Sequence, residues 1–294
     1  MIGTLAARRW RRPRSDELDA VVRTLEDWPA PAGGAVRHML PLAAIGSGGA
    51  ATVRITGAAT ARRDDGTPQL GVVVRVGRDV IAVAGDARTI GRAVGPSPTW
   101  RLLVGDAAAA DALLDRGVRG RGVVHDQRYL AVDPGAVPGE ADVPDPGVRR
   151  AEERDVERLA DLAVRLHVDD GFGPDPGEGG RRGYRDRLAM SVRAGSIDVV
   201  GPVGAPVAKL ERSVDHPRYG VQLAGIVVDP AHRGRGIGRG IVAVATRRAL
   251  AERRLRGAPA PAVTLHTRTA NVAALVAYEA AGFRVVEQWR LAVA

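Results

Sequence analysis

Hydrophobic and polar positions along this chain follow two periods, and the changes of period mark its elements. Val156, Leu159, Ala160, Ala163 and Leu166 recur at the spacing of one helix face, which predicts a helix after a short strand and turn over 148–155. A loop rich in Gly, Pro and Asp over 169–180 leads to a second helix over 181–193. Apolar runs at 196–200, 206–211 and 220–228 predict three successive strands, the first two joined by the turn Gly201-Pro-Val-Gly204. A glycine-rich loop then opens a helix over 238–254, followed by a strand at 262–266, a helix over 270–281 and a terminal strand within 284–293. The order β-α-α-β-β-β-α-β-α-β predicts a mixed α/β (α+β) fold, its sheet largely antiparallel and flanked by helices.

The first half carries an echo of the end. A strand at 101–104, a helix over 107–115, Gly117-Val118 and a strand at 123–132 parallel the strand at 262–265, the helix to Ala281, Gly282-Phe283 and the strand from Val285. With Gly117 set on Gly282, Leu113 falls where the later copy has Tyr278. The chain therefore reads as two related units, the first having lost polar residues that the second keeps. A coincidental likeness of two β-α-β segments is the alternative. Residues 133–147 hold four prolines, three glycines and four acids with no base, which predicts an interdomain linker. The expected domains are 1–132 and an intact second unit at 148–294, and the length of 294 residues suits two domains of about 100–150 residues each.

Composition narrows the chemistry. A hydrophobic content of 45% with only 3% aromatics predicts packed cores of Val, Leu, Ile and Ala. The absence of cysteine excludes disulfides and thiolate nucleophiles, and it fits a reducing cytoplasm, the expected location. The six histidines show no metal-ligand spacing, so no metal is expected. No stretch of 18 residues is both apolar and uncharged, so no membrane span is expected. The basic start to Arg14 runs into Ser-Asp-Glu-Leu-Asp rather than an apolar segment, unlike a secretory signal.

A net charge of +9 invites nucleic acid as a partner. Lys209 is the only lysine among the 43 basic residues, and the few aromatics are scattered instead of interleaved with the arginines. Nucleic acid therefore ranks below other partners. The arginines do concentrate: residues 225–256 hold eight (233, 235, 239, 247, 248, 253, 254, 256) against Asp229 and Glu252. Of these, Arg253, Arg254 and Arg256 read as a solvated face, while Arg233, Arg235 and Arg239 are placed to meet phosphates.

Arg233 and Arg235 belong to Val227-Val-Asp-Pro-Ala-His-Arg-Gly-Arg-Gly-Ile-Gly238, a buried strand running into a loop of alternating glycines that opens a helix, and Arg239 follows it directly. Glycines let backbone approach a ligand closely, and the N–H groups at a helix start form an anion site. The spacing lacks the Gly-Lys-Ser/Thr of a Walker loop, and the loop follows several strands instead of opening a first βαβ unit.

The segment 228–238 resembles the acetyl-CoA motif of the GNAT acetyltransferases, Arg/Gln-x-x-Gly-x-Gly/Ala, through Arg233, Gly236 and Gly238. Asn271-Val-Ala-Ala-Leu-Val-Ala-Tyr278, with Gly282-Phe283, resembles the second motif of that family. The likeness covers 148–294 and extends to tandem actinobacterial members in which a degenerate GNAT-like half precedes an intact one. It implies two GNAT-like units, acetyl-CoA as co-substrate and an amine acceptor. It also implies that the backbone of Ile226, Val227 and Val228 pairs with the pantetheine arm, and that residues 233–239 (Arg233, Gly234, Arg235, Gly236, Ile237, Gly238, Arg239) cradle the pyrophosphate with Asn271 nearby. Asn271 and Tyr278, seven positions apart, fall on one helix face. Tyr278 is then the candidate general acid for the departing thiolate, against a bland reading as a core residue; Asn271 is equally a candidate helix cap.

The general base stays open: Glu211, at the end of a strand beside the expected site, is a candidate to take the proton directly or through water, with His216 and His266 as others. The resemblance implies that the loop of Asp169 and Asp170 borders the acceptor pocket, where they are candidates to hold a cationic amine. Acceptor-determining loops are expected at 169–182 and 212–219. The competing function is a non-catalytic acyl-CoA-binding sensor. The sequence leaves monomer and homodimer equally open.

Overall fold

The computed structural model describes residues 9–30, 33–48, 52–76, 80–95, 99–116, 122–255 and 262–294. Gly117, Val118 and Arg256 lie outside the described residues, and the Arg254 side chain is not described. Backbone proximity divides the chain into two compact units, residues 1–129 with 286–294 and residues 130–285.

The first unit runs α1 (Ser15–Glu26), α2 (Gly34–Arg37), α3 (Met39–Gly48), β1 (Val53–Arg62), β2 (Pro68–Val76), β3 (Val80–Gly85), α4 (Ala87–Gly91), β4 (Leu102–Asp106), α5 (Ala107–Leu114) and the start of β5 (Val123–Val132). β1, β2 and β3 pair antiparallel, β3 and β4 pair parallel, and the end of the chain pairs antiparallel with β4, Trp289 opposite Asp106. β3 passes into α4 through Asp86, whose carboxylate accepts from Thr89 N at 2.9 Å and pairs with Arg63 at 2.5 Å.

The second unit contains β6 (Val148–Arg150), α6 (Val156–Asp169), α7 (Gly177–Arg193), β7 (Ile197–Val200), β8 (Ala208–His216), β9 (Gly220–Val228), α8 (Ile237–Leu255), β10 (Val263–Arg268), α9 (Val272–Glu279) and the start of β11 (Phe283–Val293). This is the predicted order, with ends moved by a few residues. The sheet order is β6-β7-β8-β9-β10, antiparallel except for the parallel pair β9–β10. Each unit is thus a mixed, largely antiparallel sheet with helices; the first places three helices, α1, α2 and α3, before its strands where the second places two, α6 and α7, and both then run β-β-β-α-β-α. The helix caps repeat as well: Asp106 Oδ1 accepts from Ala109 N at 3.0 Å at the start of α5, as Asn271 Oδ1 accepts from Ala274 N at 3.2 Å at the start of α9.

β7 shows how the sheet faces are assigned. Ile197 and Val199 pack with Leu159, Ala163 and Leu188 of α6 and α7, while Val200 packs with Ile241 and Val244 of α8, as the two-residue strand period requires. Asp198, completely buried on the α8 side, is paired by Arg150 at 3.1 Å and Arg248 at 3.2 Å.

Two expectations change. The linker expected at 133–147 is instead packed into the second unit. Residues 241–246 of α8 are buried all round, so this helix needs cover on its outer side. The segment supplies it: Val143 is buried in the same core, Arg247 donates to Pro138 O at 3.0 Å, and a Cβ added at Gly240 would lie 2.7 Å from Pro146. The unit boundary accordingly falls between 129 and 130, not at 132 or 147. Arg253, expected on a solvated face, is 4% exposed and donates to Asp215, His216 O, Pro217 O and Gly220 O, bracing the β8–β9 turn.

Candidate functional site

The site begins with a departure from regular pairing in β9. Lys209 lies opposite Val227 and Glu211 opposite Ala224, so Leu210 faces two residues, Gly225 and Ile226, across a β-bulge. Gly225 has φ +59°, a conformation that favours glycine. On its other edge β9 pairs with β10 only as far as Leu223 opposite Leu265, although both strands continue, to Val228 and Arg268. Past Leu265 the edge of β9 is therefore unpaired by β10.

There the unit has a cleft of about 920 Å³. Ile226, Val227 and Val228 form one wall; Ala273, Val276 and Ala277 of α9 form an apolar wall. The end of α6 contributes Leu166, Asp169 and Asp170.

The glycine loop closes one end. Asp229 caps its first turn, accepting from Ala231 N at 2.9 Å, and its other oxygen pairs with Arg158 of α6. Gly234 and Gly236 have φ of +74° and +76°, which explains why glycine stands at both. Gly240 N donates to Gly236 O at 2.9 Å, which leaves the N–H groups of Ile237, Gly238 and Arg239 ahead of the helical ladder. These donors and the helix dipole favour an anion. The Arg239 guanidinium beside them has no ion-pair partner among the described residues.

The other arginines differ. Arg233 lines the cleft but donates to Val228 O at 3.0 Å and pairs with Asp169 at 2.8 Å, tying the loop to the end of α6. Burial alone would raise the Asp169 carboxyl, but hydrogen bonds from Arg233 and Arg165 outweigh it and hold it low. Arg235 turns back to Ala231 O at 3.3 Å and does not line the cleft.

Asn271 and Tyr278 line the cleft from the two ends of α9. Asn271 caps that helix, so its side-chain oxygen is already engaged by Ala274 N. Tyr278 is 6% exposed. Burial pushes its phenol well above the ordinary value of 10, and the negative charge of Asp170 adds to the shift. The hydroxyl therefore keeps its proton throughout the physiological range.

Glu211 is the correction at this site. It lies outside the cleft lining, clamped between the Lys209 ammonium and Arg187, the latter at 2.5 Å. Burial would raise its pKa, but Lys209 and Arg187 together hold it at about 2, far from that of an effective proton acceptor at neutral pH. His216 and His266 do not line the cleft either; burial lowers His266 to about 4. Two residues carry an unforeseen part: Arg268 pairs with Asp170 at 3.3 Å and donates to Asp169 O, and His232 stands at the loop. Only the three-dimensional approach of α6 to β10 reveals the first of these. Among the described residues no group of acidic or histidine side chains is placed to hold a metal ion, and no helix is long and apolar enough to cross a membrane.

Comparison with known proteins agrees with this architecture. Residues 199–285 match the family model of the acetyltransferase (GNAT) domain. No curated protein matches the chain. Among solved structures, a Drosophila protein superposes with a TM-score of 0.60 at 14% identity, covering 98% of this chain and 99% of its own. A GNAT-family acetyltransferase from Colwellia psychrerythraea gives 0.54 at 11% identity, with the same two coverages. A GCN5-related N-acetyltransferase from Sphaerobacter thermophilus also gives 0.54, at 13% identity, covering 96% of this chain and 94% of its own. At these identities the superpositions establish fold alone. The family match spans β7 through the start of β11, with the bulged strand, the glycine loop and α9 inside it, so the second unit carries the match to the acetyltransferase (GNAT) domain.

Proposed function

We propose that the cleft of the second unit binds acetyl-CoA and that the protein transfers the acetyl group to an amine by direct attack in a ternary complex. The observation that carries this reading is convergence: one cleft holds an unpaired strand edge, an anion-binding helix start with the Arg239 charge, and a protonated, buried phenol. Each matches a different part of a thioester with a phosphorylated tail.

The pyrophosphate is met by the N–H groups of 237–239, with Gly234 and Gly236 letting the backbone approach, and by Arg239. The amide-bearing pantetheine arm lies along the open edge at 226–228, adding hydrogen bonds as a further strand would. The amine lone pair attacks the thioester carbonyl, the carbon–sulfur bond breaks, and the sulfur leaves as thiolate, to which Tyr278 donates its proton. The amine's own proton passes to solvent, and solvent returns one to the Tyr278 phenolate. Backbone N–H groups near the bulge stabilise the oxyanion that forms in between. Arg233 supports the loop through Asp169 instead of meeting phosphate, and Arg235 has no direct part.

The first unit is, on this reading, a degenerate copy without a ligand loop. Its β3 enters α4 through Asp86, whose own carboxylate occupies the helix start that holds an anion in the second unit.

The test is release of free CoA from acetyl-CoA in the presence of a panel of primary amines, from polyamines and amino sugars to peptide N-termini. At least one amine should raise thiol release above the rate without acceptor. An acetyl-CoA complex that acetylates none of a broad panel would favour the sensor function.

A further inference from the structure

Lys209 is the only lysine of the chain and one of its most buried side chains, 1% exposed. Its ammonium pairs with Glu211 and donates to the carbonyl oxygen of Gly225 at 3.0 Å. Glu211 is held from the other side by Arg187 of α7. Gly225 is the extra residue of the β9 bulge, and a Cβ added there would lie 2.7 Å from Glu211 Oε1 and 3.0 Å from Lys209 Nζ. The ion pair is thus seated against the residue at which β9 parts from β10, immediately before the backbone of 226–228 that lines the cleft.

Energetics say that such a pair needs a reason. Burying two charges costs about as much as their attraction returns, and apolar residues of similar volume often serve stability equally well. Arginine supplies every other cation of this chain. A guanidinium is a rigid planar fork, whereas an ammonium on a flexible stem is a compact charge that can reach a carboxylate and a carbonyl in different directions at once.

We propose that Lys209 is a positioning residue for the acyl end of the cleft: by holding the Gly225 carbonyl, it fixes the bulge and so the direction of the backbone groups at Ile226 and Val227 that face the thioester. This inference rests on the proposed acetyl-CoA site. It predicts an effect confined to the acyl end, because the helix start proposed to meet the pyrophosphate lies beyond Val228 and, among the described residues, makes no hydrogen bond or ion pair with Lys209 or Glu211.

The experiment uses the full chain with Lys209→Met/Glu211→Leu, which removes both buried charges and leaves the half-exposed Arg187 in water. Melting temperature is measured together with calorimetric affinities for acetyl-CoA and for CoA. The expected result is a melting temperature close to the parent's and a CoA affinity within threefold of it. The parent's preference for acetyl-CoA over CoA should disappear. Lys209→Gln keeps a donor for the Gly225 carbonyl and should retain that preference; it also serves if the double variant does not fold. A double variant with the parental preference overturns the proposal, as does a parent with no preference or a Lys209→Gln protein that loses it. A parent that binds neither ligand instead overturns the proposed function itself.

Discussion

Asn271 and Tyr278 lie two helical turns apart on the cleft-facing side of α9, the first capping the helix and the second presenting a buried phenol at its other end. The pair divides the work: Asn271 sets where α9 starts, and so where Tyr278 is held. Tyr278→Phe keeps the ring and removes only the hydroxyl. Turnover should fall by about 100-fold, the lower range for a lost general acid, while acetyl-CoA affinity stays unchanged. Equal turnover in the variant would reduce Tyr278 to a packing residue.

The glycine loop allows a separate prediction. Gly236 has φ +76° and no atom within clashing distance of an added Cβ, the nearest being Arg239 Nη2 at 3.9 Å, an ordinary van der Waals contact. Gly236→Ala therefore strains the backbone without a clash, at about 1–2 kcal/mol. If the loop relaxes to escape that strain, its N–H groups turn away from the anion. Acetyl-CoA affinity should fall about tenfold, the equivalent of ~1.4 kcal/mol. Titration calorimetry checks this, and an unaltered affinity would separate Gly236 from the ligand.

Much of this was legible in the sequence because it is local. The strand and helix order of 148–293, the glycine loop, and the shared face of Asn271 and Tyr278 all follow from spacings of a few residues. What escaped depends on distant neighbours. Arg253 looks like one more surface arginine until the β8–β9 turn folds over it. Lys209 and Glu211 alternate along β8 as exposed polar residues would, yet their face is covered by α7. The Pro- and Gly-rich composition of 133–147 suggested a linker, but the continuous apolar run Ile241-Val-Ala-Val-Ala245 was a signal that α8 needed a cover. Sequence alone could not say which segment provides it.

That cover predicts how the chain can be cut. A fragment of residues 148–294 lacks Val143 and Pro146 and exposes the outer face of α8. It should bind a hydrophobic dye and melt without a cooperative transition, whereas the full chain melts cooperatively. A fragment that melts as sharply and as high as the full chain would show that 133–147 contributes nothing to the fold.

The clamped Glu211 carboxyl makes stability depend on acid. Its folded pKa of about 2 lies below its ordinary 4.5, so the folded state binds its proton less readily than the unfolded chain. The stabilisation is complete above pH 4.5 and is lost as the pH falls toward 2. Between pH 5 and 2.5 the parent should lose more melting temperature than Glu211→Gln, which has no proton to take up. Parallel curves would indicate that Lys209 and Arg187 do not hold the carboxylate in solution.

The most direct test of the central claim is calorimetric titration of the full chain with acetyl-CoA. On the proposed function the second unit supplies one anion-binding helix start beside an open strand edge, whereas in the first unit Asp86 caps the start of α4 with its own carboxylate. The titration should therefore show saturable binding of one acetyl-CoA per chain, abolished or sharply weakened by Gly236→Ala combined with Arg239→Ala. Absence of binding at millimolar acetyl-CoA, or two equivalent sites per chain, would contradict it.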